Sequence, residues 1–171
     1  MILGLLFPGV LAVILGTIAY RRSPSMVRSA MRSAFGRFVE IMPKIAVALI
    51  AAGFIGVLVP AAVVGKHIGP DSGFYGIMLA TLSGGIMPGG PIVTFPIVIV
   101  LLKAGAGFPQ VVAFLTGWSV FAVHRMIIYE IPMMGWQFSA VRLISSLILP
   151  LIAGYLTVLV MALSGTVPKI F

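Results

Sequence analysis

Apolar residues run along this chain in long blocks, with polar residues gathered at the seams between them. The first block is Ile2–Tyr20, long enough for one helical crossing of a bilayer, which takes about 20 apolar residues. Positive charge follows this block, at Arg21 and Arg22. A cleaved leader or a twin-arginine signal carries its charge ahead of the apolar run, so an uncleaved span is expected. Residues 23–38 then change pattern. Val27, Ala30, Met31, Ala34, Phe35 and Phe38 recur at helical spacing, while Arg28 and Arg32 occupy another face. The pattern predicts a short amphipathic helix on the inner leaflet, started by Ser23 or Ser25, ahead of the alternative of a solvated charged loop held near anionic lipid. A second span is predicted over 43–64, with Pro43 in its first turn and Glu40 beside its positive end. Lys66, His67, Gly69, Pro70 and Asp71 form a polar turn after it.

The stretch 74–102 is too long for one straight span and too short for two. Its middle reads Gly84-Gly85-Ile86-Met87-Pro88-Gly89-Gly90-Pro91, which no continuous helix carries without losing hydrogen bonds. Two half-helices are expected, about Phe74–Met87 and Ile92–Leu102. They either cross once or fold back as a re-entrant hairpin, and the Pro-Gly-Gly-Pro run favours the hairpin. Residues 108–134 repeat the theme more weakly. Thr116-Gly117-Trp118-Ser119 interrupts the apolar run, and His124, Arg125 and Glu130 follow. A last span is expected over 141–163, with Arg142 at its start, Pro150 inside, Gly165 and Pro168 closing it and Lys169 anchoring the terminus.

Composition makes the environment definite. Hydrophobic residues are 61% of the 171 and charged residues 8%, whereas soluble domains carry about a quarter charged residues. The fold class expected is an all-α integral membrane protein forming a single transmembrane domain over 1–171. It would hold about four to five transmembrane helices, a broken or re-entrant helix pair and the short interfacial helix. The formal net charge is +8, from 11 Lys+Arg against 3 Asp+Glu. Arg21, Arg22, Arg28, Arg32, Arg37 and Lys44 all fall in the first inter-helix segment. Positive residues concentrate on the cytoplasmic side of membrane proteins. The expectation is therefore a bacterial inner-membrane protein with its N-terminus outside and 21–44 in the cytoplasm. Its partner would be membrane lipid, not nucleic acid. With no cysteine, thiolate ligands, disulfides and cysteine nucleophiles are excluded.

Candidate chemistry follows from the breaks. Backbone polar groups in hydrocarbon must be paired, so a break at membrane depth belongs inside protein or against a wet cavity. Transporters use such breaks as binding sites. Here Ile92–Thr94 would supply N–H groups and Gly84–Gly90 free carbonyls, with Thr94 and Ser83 as the nearest hydroxyls. The bland alternative is a packing kink, with Thr94 bonded back to its own helix. Thr116, Gly117, Trp118 and Ser119 form a second patch, unless Trp118 joins Trp136 in an interfacial aromatic belt. His124 and Arg125 either face the solute or snorkel to the surface. Trp118 and Arg125 are seven apart, so the guanidinium could stack on the indole of a continuous helix. Glu130 needs a partner elsewhere. The expected solute path is thus Pro88, Gly89, Gly90, Pro91, Thr94, Thr116, Gly117, Trp118, Ser119, His124 and Arg125. Two histidines and three scattered carboxylates make no catalytic or metal set, so no enzyme is expected and no cofactor can be named.

From about Val47 to Val160 the order of features resembles the predicted-permease family that includes organoarsenical efflux permeases. The resemblance rests on the Pro frame at Pro88 and Pro96, Leu101-Leu102-Lys103-Ala104-Gly105-Ala106, Ala113-Phe114-Leu115-Thr116, and a Gly135 turn leading to Ala140-Val141-Arg142-Leu143. Family members typically carry Cys-x-Cys inside the Pro frame, where this chain has Gly90 and Ile92, so thiolate binding of a soft metal or arsenical is not implied. They are also about twice as long, with two such halves. The resemblance thus implies a half-size permease acting as a homodimer, parallel because of the biased basic segment, or with a partner membrane protein. The rival from another class is a non-transporting subunit packed within a larger membrane complex.

Overall fold

The computed structural model describes residues 2–58 and 60–165. Among them the chain is 90% helical, without strands. It forms two compact units, residues 1–46 and 47–171. Helix α1 (Ile2–Arg22) closes on Arg21 and Arg22, where cations suit the negative end of the helix dipole. Only Ser23 separates it from α2 (Pro24–Leu58), a single helix of 35 residues. Sequence patterning expected two elements here, an interfacial helix over 23–38 and a span from Pro43. The structure instead carries Pro43 inside α2. One proline removes one hydrogen bond, and no glycine or second breaker flanks it. The Lys44–Glu40 pair, at 2.9 Å, spans the position one turn apart. At 1.5 Å per residue α2 is about 52 Å long, well beyond a bilayer's apolar core of about 30 Å.

The helix stops at Leu58 rather than 64. Pro60 is extended and heads the short α3 (Ala61–Ile68), accepting from the Val63 N–H at 2.9 Å. A 3₁₀ turn, Pro70–Ser72, leads into α4 (Gly73–Ile86). The chain breaks over residues 87–90, and α5 (Pro91–Lys103) follows. α6 (Phe108–Val120) comes next. The Gly107 N–H donates to the Ile68 carbonyl at 2.9 Å, and Gln110 Nε2 donates to Ser72 Oγ at 3.0 Å. The chain therefore enters α4 and leaves α5 at the same end. Residues 73–103 are a helical hairpin whose arms, of 14 and 13 residues, are each about 20 Å long.

α6 runs beside α4 from this base towards the hairpin tip. The contact uses small residues: Gly76, Ala80, Gly84 and Gly85 are buried on α4, and Ala113 and Gly117 on α6. A Cβ on Gly84 would meet the Phe114 carbonyl oxygen at 2.0 Å, and one on Gly117 the Thr81 carbonyl oxygen at 2.4 Å. Backbones approaching this closely pack by dispersion rather than by hydrophobic exclusion, as helices in lipid must. Val64, Ala80, Val98, Ala106, Val111 and Phe114 form the apolar core joining α3, α4, α5 and α6. Outward-facing side chains are large and apolar, among them Val57, Met133, Ile144 and Leu163.

The second interruption falls later than expected. Thr116–Ser119 lies within α6, and the helix ends at Val120. Ala122 turns left-handed, with φ 32°, the only such non-glycine residue among those described. A single turn α7 (Val123–Arg125), a π-helical turn (Met126–Glu130) and α8 (Ile131–Ser146) follow, with Gly135 breaking α8 at φ 83°. α9 (Leu149–Ser164) starts with Pro150 in its first turn. The span expected over 141–163 is therefore divided: Arg142 belongs to α8, and Pro150 opens a helix, where its missing N–H costs nothing. Pro168 and Lys169 lie outside the described residues. Two helical stretches, Pro24–Leu58 and Phe108–Ser164, are long and apolar enough to cross a membrane, and Pro91–Lys103 is a shorter apolar helix.

Candidate functional site

The hairpin tip and the end of α6 meet through one side chain. Trp118 Nε1 donates to the Gly89 carbonyl at 3.2 Å. The break needs such a donor, because a carbonyl outside a helix has no backbone partner of its own. Gly89 has φ 100°, a conformation open to glycine and strained for other residues. Pro88, Gly90 and Pro91 are exposed at the tip, while Gly89 and Trp118 are half-buried.

Most hydroxyls in the two sequence patches are already committed. Thr94 is fully buried and its hydroxyl returns to the Gly90 carbonyl at 3.3 Å. The Val93 and Thr94 N–H groups bond that same carbonyl, at 3.0 and 3.2 Å. The expectation of free N–H groups over Ile92–Thr94 is corrected at Val93 and Thr94, whose N–H groups the Gly90 carbonyl takes up in the first turn of α5. Thr116 donates to the Val112 carbonyl at 2.8 Å, Ser119 to Thr116 at 3.0 Å and Ser83 to Leu79 at 2.8 Å. Gly117 faces α4 as a packing glycine and lines no open space.

Beyond Trp118 the end of α6 is held by two arginines. Arg125 donates from Nη2 to the Ser119 carbonyl. Arg142 donates from Nη1 to the next carbonyl, Val120, at 2.7 Å, and from Nε to Glu130 Oε2 at 2.8 Å. These carbonyls are the unpaired acceptors of a helix C-terminus, where cations suit the dipole. Arg125 does not stack on Trp118. The left-handed turn at Ala122 ends the helical relation that stacking would need, and Arg125 folds back onto the helix end instead. Glu130 neutralises Arg142, while Arg125 has no carboxylate within ion-pair distance among the described residues. His124 Nδ1 and Arg142 Nη2 are buried and without a hydrogen-bond partner. Among the described residues no cluster of three or more potential metal ligands occurs.

Two residues of consequence escaped the sequence reading. Arg142 was placed at the head of a span, although Glu130, left without a partner on its own helix, signalled a cation nearby. Gln110 was read as part of an apolar run. It is 2% exposed and ties α6 to the turn before α4. A lone amide in an apolar segment signals a buried hydrogen bond.

The fold and these helix breaks define an α-helical membrane protein whose polar backbone groups gather at interrupted helices. The chain belongs to the Predicted permease family, whose pattern matches residues 27–165. No curated protein and no solved structure matches it. Its role is thus that of a permease-like membrane protein.

Proposed function

We propose that the chain moves a small solute past the tip of the α4–α5 hairpin, between Pro88–Pro91 and the Trp118–Arg125 end of α6. The observation that carries this reading is the Trp118 Nε1 bond to the Gly89 carbonyl. It joins the hairpin tip to the end of α6, through residues 29 apart, into one locus of exposed tip backbone and half-buried indole. Arms of about 20 Å sharing one end support a hairpin that enters the bilayer and returns on the same side. Arg125, a cation at the tip without a carboxylate partner among the described residues, lies where it attracts or gates a solute. The chain acts as a parallel homodimer in a bacterial inner membrane, and its role is transport rather than catalysis.

The test is uptake into proteoliposomes of a panel of labelled small anions, cations and neutral solutes. Gly90→Leu is the informative variant. Its φ is −91° and a Cβ there meets nothing within 4 Å, so insertion and folding are retained while the tip is blocked. Uptake is expected to fall to the protein-free background. Wild-type uptake in Gly90→Leu, with some panel member moved, overturns the path. No flux for any member, together with stoichiometric co-purification with a larger complex, favours a non-transporting subunit.

A further inference from the structure

Between residues 104 and 165 the chain has three charged side chains, Arg125, Glu130 and Arg142. The structure brings all three to the C-terminal end of α6. Arg125 donates to the Ser119 carbonyl, and Arg142 donates to the next carbonyl, Val120, and to Glu130. Successive carbonyl oxygens of a helix lie about 3–4 Å apart. The two guanidinium groups are therefore neighbours, their bonded nitrogens within about 9 Å of each other. Two cations meet one carboxylate there, which leaves one uncompensated positive charge. His124, next to Arg125 in the chain, can only add to that excess.

The donors left over indicate what balances it. Arg125 is half-buried and spends one of its five N–H groups, on Ser119. Arg142 bonds Val120 through Nη1 and Glu130 through Nε, while its Nη2 is buried without a partner. Nε and Nη2 share the guanidinium edge that meets a carboxylate two-for-two, and Glu130 occupies half of it. A surplus cation at membrane depth costs free energy unless an anion pairs with it. A single surplus charge selects a singly charged partner: a divalent anion would reverse the excess, and a cation would double it. Planar forks select planar oxygen pairs. A carboxylate meets both conditions.

We propose, resting on the solute path above, that the substrate is a small monocarboxylate. Arg125 binds its oxygens, and Arg142 supplies the charge that holds it there. Glu130 competes with the substrate for that charge. Trp118, one residue before the Ser119 carbonyl that Arg125 holds, reports on the site.

The full-length Trp136→Phe protein in mild detergent, with Trp118 as its one tryptophan, is titrated with formate, acetate, lactate, choline and phosphatidylglycerol. Labelled lactate, choline and mannitol are then followed into proteoliposomes. A saturable change in Trp118 emission is expected with the carboxylates and none with choline. Arg125→Gln should weaken lactate binding about ten-fold, the effect of one charge at about 10 Å. Arg125→Lys, which keeps the charge and loses the fork, should weaken it less. Glu130→Gln should tighten lactate binding about ten-fold although it destabilises the fold, and lactate should raise its unfolding temperature more than that of the wild type. A purely structural Glu130 would lower affinity and stability together, and that result overturns the competition. Lys66→Gln is the same charge change at the other end of α6 and should leave affinity unchanged. A loss equal to that of Arg125→Gln would show unspecific attraction and overturn the site. No saturable change with any carboxylate, or a response to phosphatidylglycerol alone, overturns the proposal. So does uptake of choline or mannitol in place of lactate, which leaves the solute path standing. Lactate binding without flux of any of the three solutes supports the anion site and overturns the path instead.

Discussion

Gly84 and Gly85 lie within one eight-residue run with Gly89 and Gly90, yet the two pairs do opposite things. The first pair is buried in the contact of α4 with α6, where a Cβ on Gly84 would meet the Phe114 carbonyl oxygen at 2.0 Å and one on Gly85 the Phe121 ring at 3.0 Å. The second pair is at the tip. Gly89 turns the backbone at φ 100°, and Gly90 has open space around it. One pair is glycine because there is no room, and the other because the chain must turn and leave room. A helix break therefore has two parts with different tolerances: a packed shoulder beside α6, and a tip with open space around it.

Filling the shoulder should have the largest effect. Gly84→Ala or Gly117→Ala places a methyl against a backbone carbonyl that cannot move without shifting a helix, and overpacking of this kind costs about 3 kcal/mol. Thermal unfolding in detergent should show it as the steepest drop of the set. Tolerance of alanine at both positions would remove the distinction between shoulder and tip. Glu130→Gln comes next. Arg142 then loses its counter-charge while its guanidinium stays largely buried. The pair retains 27% and 20% side-chain exposure, so the cost is about 1–2 kcal/mol, below that of a fully buried pair. Replacing both residues with methionine should recover part of this loss. A double variant less stable than Glu130→Gln would show that the Arg142 bond to Val120 matters more than the ion pair.

At the tip, Gly89→Ala should cost about 1–2 kcal/mol through left-handed strain alone. Gly90→Ala, nearby and extended, should stay within about 0.5 kcal/mol. Equal effects at the two would mean that the tip is rigid throughout. Trp118→Phe keeps the ring and removes one hydrogen bond, at about 1 kcal/mol. In a Trp136→Phe background, Trp118 is the sole tryptophan. Its emission should shift when Gly89 is replaced and hold when Gly90→Ala is introduced.

How legible these features were depended on their range. The break over 87–90 was readable because Pro and Gly act locally: each removes a hydrogen bond or adds backbone freedom where it stands. The same local rule misled at Pro43. One proline in an otherwise helix-compatible stretch bends or weakens a helix without ending it, and α2 runs through. At Thr116–Ser119 a single glycine was read as an interruption. Its neighbours are helical because Gly117 is needed for contact with Thr81, a reason that lies on another helix. The turn that does end α6, at Ala122, has no marker in the residue itself. Alanine prefers helix, and only the surrounding packing holds it left-handed.

Composition alone determined that this chain lies in a membrane as helices, because too few polar residues exist to coat a water-facing surface and backbone groups in lipid must bond within their own segment. The Gly and Pro run alone determined where one helix must break. Tertiary structure decided what the break touches. Trp118 reaches Gly89, Arg142 reaches Val120 and Glu130, and Gly107 closes on Ile68. Each of these joins residues on different elements, through side-chain or backbone bonds whose donor is distant in the chain. Helical periodicity records which face a residue occupies. It does not record which neighbour waits there, because that depends on how several helices pack at once.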